Sequence, residues 1–294
     1  MGAWGVGLYQ DDTAADLRDI ISLIAKIPAE GDRLLKMLLE TQGEHELTDD
    51  GGPTFWLVIA DQFERRGIRS RMAFERALLA IDSGLDLKDL ENRGEDAKGL
   101  SKRKSILDRL AQRIRSPRPE RILPKNPRLP DAVVGTGDVY AFPTMAGLAF
   151  ASYVSGAEDF DRRNFKQDGW GAVVVVDQGR AFDWLPWCAL ISVAVDPSKM
   201  PTIPDLFGAE LLYHSQTKGA TRCVPKRSEL KDVPFQLIGK VELDKEAIES
   251  IMAKWPSAEE SIQLGWPLRT VAFGRNSRFS LPKGPSFSTL VARK

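Results

Sequence analysis

The sequence predicts an α+β protein with two domains, an all-α domain followed by a strand-rich domain. Apolar residues recur with helical spacing up to about residue 115, and five prolines then fall within residues 116–130. Beyond the prolines, apolar residues alternate or form short runs, which is typical of strands. We therefore expect a helical domain over 1–115, an extended basic linker over 116–130, and a strand-rich domain over 131–294 with a bent sheet or partial barrel and one or two helices.

The first predicted helix follows a stretch with a capping pattern. Thr13 and Asp16 have the spacing of a capping box, in which the hydroxyl and the carboxylate each accept a free backbone N–H. Carboxylates are also favoured at the positive end of a helix dipole. We therefore expect a helix capped by Thr13, with an apolar face formed by Leu17, Ile20, Ile21, Ile24 and Ile27.

Four further helices are expected in the first domain, separated by short polar or glycine-containing breaks. We expect Asp32 to cap the second helix and Pro53 to open the third. Ser70 should cap the fourth helix, and Gly84 should end it in a left-handed conformation. The fifth helix is expected over about 101–115.

The second half contains segments with the composition of strands. Val173 to Val176 has no polar face and is expected to form a central strand. A helix over about 245–255 should interrupt the series. The expected strands cover residues 138–142, 148–154, 172–176, 189–195, 210–213, 235–241, 269–273 and 287–291.

Composition indicates an ordinary soluble globular protein. The chain has 294 residues, of which 43% are hydrophobic and 28% charged. It has no apolar run of about 18 residues and no basic start followed by an apolar segment, so we expect neither export nor membrane spanning. Cys188 and Cys223 are too far apart in sequence to suggest a disulfide framework or a metal knuckle, which favours a reduced compartment.

Charge is distributed unevenly although the formal net charge is zero. Residues 1–97 contain twenty acidic and eleven basic residues, a net charge of −9, whereas residues 98–128 contain two acidic and eleven basic residues, a net charge of +9. The basic segment could follow a nucleic-acid backbone, but it has no aromatic residue for base stacking. We favour the alternative that it neutralises the acidic first block.

The sequence predicts no catalytic, cofactor or metal site. A dinucleotide fingerprint would require a strand before Gly5 and Gly7, and the position of these glycines leaves no room for one. The acids Asp11, Asp12, Asp16 and Asp19 match no calcium-binding loop.

A Cys–His nucleophile is the remaining catalytic arrangement to consider. His214 with Cys188 or Cys223 is conceivable, because spatial proximity is not visible in sequence. The apolar neighbours of Cys188 favour a small core residue instead. An enzyme with a cleft between the two domains stays an alternative.

Two clusters are candidates for partner binding. One is the acidic group near the N-terminus, with Asp11 and Asp19. The other is a charged loop among aromatic residues, since aromatic and arginine side chains are enriched at interfaces. Its candidate residues are Asp159, Asp161, Arg162, Arg163 and Trp170.

The N-terminus resembles a bacterial family of uncharacterised proteins, domain of unknown function 4259, whose members begin MGAWGxGxFxNDxAxD. The likeness covers about the first hundred residues and departs from the family pattern at Tyr9, Gln10 and Asp11. We expect Trp4 to anchor a structural tuck in which glycines allow tight turns. The matching motif residues are Trp4, Gly5, Gly7, Asp12 and Asp16.

A second stretch, Gly135 to Pro143, is similar to the opening of strand-rich immunity proteins of bacterial polymorphic toxin systems, which start with a GDvfaIP-like strand. The two resemblances imply a cytoplasmic, non-catalytic bacterial immunity protein of toxin–antitoxin type. It would act by protein–protein interaction with a cognate toxin, and a basic nuclease would suit its acidic first block. Nucleic-acid binding through residues 98–128 is the remaining alternative.

Overall fold

The computed structural model describes residues 5–149, 165–215, 218–225, 230, 234–252, 262–263, 271–277 and 280–292. The protein is a mixed α+β structure, as expected. Its contacts divide the chain into two compact units, Met1–Arg128 and Leu129–Lys294. That these units are separate domains stays a prediction.

The described part of the first unit is helical, as expected. Its third helix, α3, contacts α1, α4, α5 and α6. Residues 55–64 of α3 are all buried, so this part of the helix is enclosed on every side. The helices are α1 (Asp12–Ile24), α2 (Gly31–Gln42), α3 (Gly52–Arg65), α4 (Arg71–Asp82), α5 (Leu85–Asn92) and α6 (Ala97–Arg115).

Two of the expected caps are wrong. The N-cap of α1 is Asp11, whose carboxylate accepts from the Ala14 N–H at 3.2 Å, so Thr13 lies inside the helix. Aspartate and threonine are both favoured at helix N-caps, so residue type alone does not identify the cap. The extended backbone at Asp11 shows that Asp11 is the N-cap. Helix α2 begins at Gly31 without a side-chain cap, which places Asp32 in its first turn.

The Ser70 cap and the left-handed Gly84 are confirmed, but one helix was missed. Helix α5 directly follows Gly84, and Asp86 is its buried residue. Its sequence therefore lacks the buried apolar stripe by which an amphipathic helix is predicted. Helix α6 starts earlier than expected, after Asp96, which accepts from the Gly99 N–H at 2.7 Å.

The second unit is built on one sheet, antiparallel except where β6 pairs with β8. The strand order is β2-β1-β3-β4-β5-β9, with β7 paired to β1 and β6 paired to β4. Short helices in the described part of this unit include α7 (Ile203–Leu206) and α8 (Lys245–Ile251). The strands are β1 (Asp138–Met145), β2 (Leu148–Ala149), β3 (Gly169–Ala181), β4 (Leu185–Val193), β5 (Glu210–His214), β6 (Thr221–Cys223), β7 (Gln236–Lys240), β8 (Ile262–Gln263) and β9 (Ser280–Ser286).

Strand β3 is central, as its sequence predicts, because β1 and β4 pair with its two edges. Val173 and Val175 face one core, and Val174 and Val176 face the other. Successive side chains of a strand point to opposite faces of the sheet, so this continuous apolar run contributes to two buried layers.

The expected strand over 287–291 is wrong, because Phe287–Leu290 forms a 3-10 helix. Strands β6 and β9 were not expected. Strand β9 contains Pro282 and Pro285 and pairs with β5, and proline is tolerated where a strand has a free edge. Residues 150–154 of one expected strand and 269–270 of another lie outside the described part of the chain. The expectation of a strand is wrong for residues 271–273, which form only an isolated bridge at Phe273.

Among the described residues, no helix combines the length and the apolar character needed to cross a membrane.

A buried ion pair joins α5 to α6. The guanidinium of Arg103 donates to both oxygens of Asp86, at 2.7 and 2.6 Å, and both side chains are almost fully buried. The same guanidinium reaches the Val6 carbonyl at 3.4 Å, which ties the N-terminal segment to the pair. Breaking such a pair leaves one charge buried without compensation.

We predict that Asp86→Ala lowers the free energy of unfolding by about 3–5 kcal/mol, because Arg103 then lies buried without its carboxylate. Arg103→Met/Asp86→Leu should recover much of this loss. The control is Glu75→Ala, which removes the exposed partner of Arg71 and should change stability little. Urea denaturation provides the measurement, and equal losses for Asp86→Ala and Glu75→Ala would refute the prediction.

Candidate partner-binding cleft

Arginines of the basic segment neutralise buried carboxylates of the acidic block. Asp61 and Glu64 on α3 are 1% and 3% exposed, which makes an unpaired charge costly there. Arg113 binds Asp61 and lies 2.8 Å from Glu64, and Arg118 lies 3.1 Å from Glu64. A further arginine, Arg115, pairs with Asp82 at 2.9 Å.

The first part of the expected linker is hydrogen-bonded to the helical unit. Arg118 donates to the Arg65 carbonyl at 2.9 Å, and the Arg121 backbone N–H donates to Gly67 O at 2.8 Å. The Arg121 guanidinium donates to carbonyls at the end of α1 and after it, those of Ala25, Ile27 and Ala29. The ion pairs of Arg103, Arg113 and Arg118 favour the neutralising role expected for residues 98–128, and the contacts to carbonyls attach this segment to the helical unit.

A hydrogen bond from Tyr9 links the N-terminal segment to one of these buried acids, Asp61. Its hydroxyl donates to Asp61 and accepts from Gln62. Burial raises the pKa of Tyr9 well above its ordinary value, and the Asp61 charge raises it further. Burial would also raise the pKa of Asp61, but hydrogen bonds from Tyr9 and Arg113 together with the charges of Arg65 and Arg113 bring it below its ordinary value.

The glycines before α1 form a tight turn, as expected. The Gly7 N–H donates to Oε1 of Gln10 at 2.7 Å, and Gln10 N–H donates to the Gly7 carbonyl at 3.1 Å. A Cβ on Gly5 or Gly7 would lie 2.6 or 2.8 Å from that same Oε1, so the Gln10 side chain would have to move. Trp4, the expected anchor, lies outside the described residues.

A cleft of about 770 Å³ opens beside this turn. Four segments converge on it: the turn and the start of α1, the loop before α3, the first turn of α3, and the end of α5. The lining residues are Gly5, Asp11, Thr13, His45, Asp50, Gly51, Thr54, Phe55, Leu90, Arg93 and Glu95.

The charge of the cleft is negative. Its described lining contains the carboxylates of Asp11, Asp50 and Glu95 against the single guanidinium of Arg93. Arg93 lies 2.9 Å from Asp50 and 3.6 Å from Asp11. Burial raises the pKa of nearby Asp89, the charge of Arg93 lowers it, and the charges of Asp50 and Asp86 raise it further.

The wall of the cleft is aromatic on one side. The His45 ring lies 4.4 Å from the Phe55 ring, centroid to centroid. The His45 carbonyl accepts from Nε1 of the buried Trp56 at 2.7 Å, which fixes the loop against α3. Aromatic faces next to carboxylates suit a cationic group, because the ring quadrupole and the charges attract it together.

Helix α1 carries further acids beside the cleft. Asp12, Asp16 and Asp19 are spaced four and three residues apart and so share a helix face. Loss of hydration raises the pKa of Asp16, and the Asp12 and Asp19 carboxylates raise it further. Asp19 is paired with Arg18 at 3.0 Å.

The structure brings only part of the expected partner-binding residues together. Asp11 lies in the cleft, and Asp19 lies on the neighbouring face of α1. Trp170 belongs to the second unit, where it is half-buried in β3 opposite Pro143. The four charged residues of the expected loop, Asp159, Asp161, Arg162 and Arg163, lie outside the described part of the chain.

The two cysteines lie opposite each other on neighbouring strands, although they are 35 residues apart in sequence. Their sulfurs are 3.9 Å apart on paired strands, and both side chains are buried and not bonded in a disulfide. His214 is 4% exposed with its ring 5.7 Å from that of Phe273, and burial lowers its pKa. Whether His214 acts with a cysteine stays untested. Among the described residues, no three His, Cys, Asp or Glu side chains are grouped as metal ligands would be.

Sequence reasoning missed His45, Asp50, Arg93 and Glu95 as parts of one site. Each lies in a polar connection, and only the packing of α3 and α5 against the N-terminal turn brings them together. The acid-rich loop before α3, from Glu44 to Asp50, was the one available signal.

No family model matches the chain, and no curated protein or solved structure shows significant similarity to it. The resemblances of the N-terminus and of Gly135 to Pro143 therefore stay predictions.

We predict that Asp16→Asn raises the free energy of unfolding at pH 7 by roughly 0.5 kcal/mol, because it removes like-charge repulsion along α1. The pKa of Asp16 is raised in the folded protein, so ionisation of this carboxyl lowers stability as the pH rises from about 4 through the folded pKa. The benefit of the variant should therefore vanish below about pH 4.

Denaturation of both proteins between pH 3 and pH 8 measures this difference. The control is Asp108→Asn, because Asp108 has a basic neighbour, Lys104, four residues earlier on α6 and should not gain stability. A gain that does not change with pH would contradict the assignment.

Proposed function

We propose that this protein is a binding protein, a bacterial immunity protein that neutralises a cognate toxin by direct contact in the cytoplasm. The observation that carries the proposal is the acidic cleft of the first unit, whose carboxylates outnumber its cation by three to one among the described lining residues. The partner that this surface suits is a basic protein, such as a nuclease.

The contrast with the buried acids of the same unit supports this choice. Asp61, Glu64 and Asp86 each have arginine partners from the segment 98–128. Asp50 shares Arg93 with Asp11, Glu95 lines the same surface cleft, and the side chain of Asp50 is 97% exposed. Unneutralised surface charge steers an oppositely charged partner and raises its association rate.

The shape of the cleft suits long basic side chains. A guanidinium or ammonium entering from solvent would meet carboxylates at the rim and the rings of His45 and Phe55 on the wall. Arginine is favoured over lysine at such a site, because its planar group stacks on rings and pairs with carboxylates by two hydrogen bonds.

We also infer that the two compact units are separate domains and that the sheet of the second is bent or partly closed. Register shifts at Val139/Tyr140 and at Val175/Asp177 support the bend, since bulges increase local twist. In this proposal the helical domain recognises the partner, and no residue of either domain performs catalysis.

The experiment is co-expression of the chain with the toxin encoded beside its gene, followed by measurement of cell survival and of co-purification. We predict that Asp11→Asn/Asp50→Asn/Glu95→Gln weakens binding about tenfold or more and makes it less sensitive to salt. Asparagine at position 11 keeps the N-cap of α1, so the helix should stay intact.

The matched control is Glu242→Gln/Glu246→Gln/Glu249→Gln, which removes the same charge from exposed residues of the second unit. It should bind as the unmodified chain does. Equal weakening by both triple variants would show that total charge matters rather than the cleft. Absence of any interaction with the neighbouring toxin would count against the immunity function itself.

A further inference from the structure

Cys188 and Cys223 occupy directly opposite positions on neighbouring antiparallel strands. Strand β4 pairs with β6 so that Cys188 is opposite Cys223 and Ala189 is opposite Arg222. The two sulfurs are 3.9 Å apart, close to van der Waals contact. Neither cysteine is bonded in a disulfide.

This placement meets the geometric requirement of a disulfide. Opposite residues of antiparallel strands have Cα atoms about 4.5–5.5 Å apart, within the span of about 4.4–6.8 Å that disulfides bridge. Rotation about the Cα–Cβ bonds can close the remaining gap between the sulfurs without separating β4 from β6. A pair of cysteines taken at random in a chain of this size would not satisfy this condition.

The surroundings of the thiols favour reaction with each other. Cys188 and Cys223 are 1% and 0% exposed and lie in an apolar core with Phe142, Leu190 and Phe235. A bulky oxidant or a second protein chain cannot reach them there, whereas a small peroxide can enter during local opening. Once one sulfur is oxidised, the other is the nearest nucleophile.

We propose that Cys188 and Cys223 form an oxidisable dithiol, which a peroxide converts into an intramolecular disulfide between β4 and β6. One thiol sulfur attacks the peroxide O–O bond, yielding a sulfenic acid and one water when hydrogen peroxide is the oxidant. The second thiol sulfur then attacks the sulfenic sulfur, forming the S–S bond and releasing a second water.

The bond would link two neighbouring strands of the sheet covalently. Strand β6 has three residues and is paired with β4 over three residue pairs and with β8 over two. A covalent link there closes a loop across a separation of 35 residues and restricts the unfolded chain. The oxidised protein should therefore resist unfolding better than the reduced one.

The test treats the reduced, folded chain with hydrogen peroxide and then analyses it by mass spectrometry without reduction. We expect a mass lower by two hydrogen atoms, a cross-linked peptide pair containing both cysteines, and a Tm higher by roughly 5 °C. Dithiothreitol should reverse all three changes.

Cys188→Ala and Cys223→Ala serve as controls and should show neither the mass loss nor the gain in Tm. If a variant fails to fold, the peptide mapping of the unmodified chain still decides the question. Stable sulfinic or sulfonic acid, disulfide-linked dimers, or thiols that stay reduced until the chain unfolds would each overturn the proposal.

Discussion

Burial of carboxylates on α3 is the constraint on which the first unit depends. The helix is enclosed along residues 55–64, and Asp61 and Glu64 are enclosed with it. Their charges are balanced by Arg113 and Arg118 from the segment that follows and, for Asp61, also by Arg65 on α3 itself. The chain after the helical core therefore returns over α3, which is why the unit extends to Arg128.

The same constraint divides the acidic residues into two groups with different consequences. Buried acids are paired with arginines and contribute to the structure of the unit. The acids of the cleft have only Arg93 among the described lining residues, so their charge is available to a partner. The charge imbalance along the sequence thus reflects both internal pairing and a surface for recognition.

Local patterns predicted most of the helices and the central strand, because each depends on residues close in sequence. Ser70, Gly84 and the run Val173 to Val176 behave as their residue types require. Helix α5 escaped prediction because it buries Asp86 rather than an apolar stripe. The cleft and the opposed cysteines depend on tertiary packing and strand register, which a single sequence does not reveal.

The central claim is that a cationic partner binds at the cleft rather than at acidic residues in general. The most direct measurement is an NMR titration of the isotope-labelled chain with a short arginine-rich peptide at moderate salt. The account predicts that the perturbed backbone amides concentrate in residues 5–13, 45–55 and 90–95. Perturbations spread over the exposed carboxylates of both units, or concentrated on the α2 and α4 surface, would contradict it.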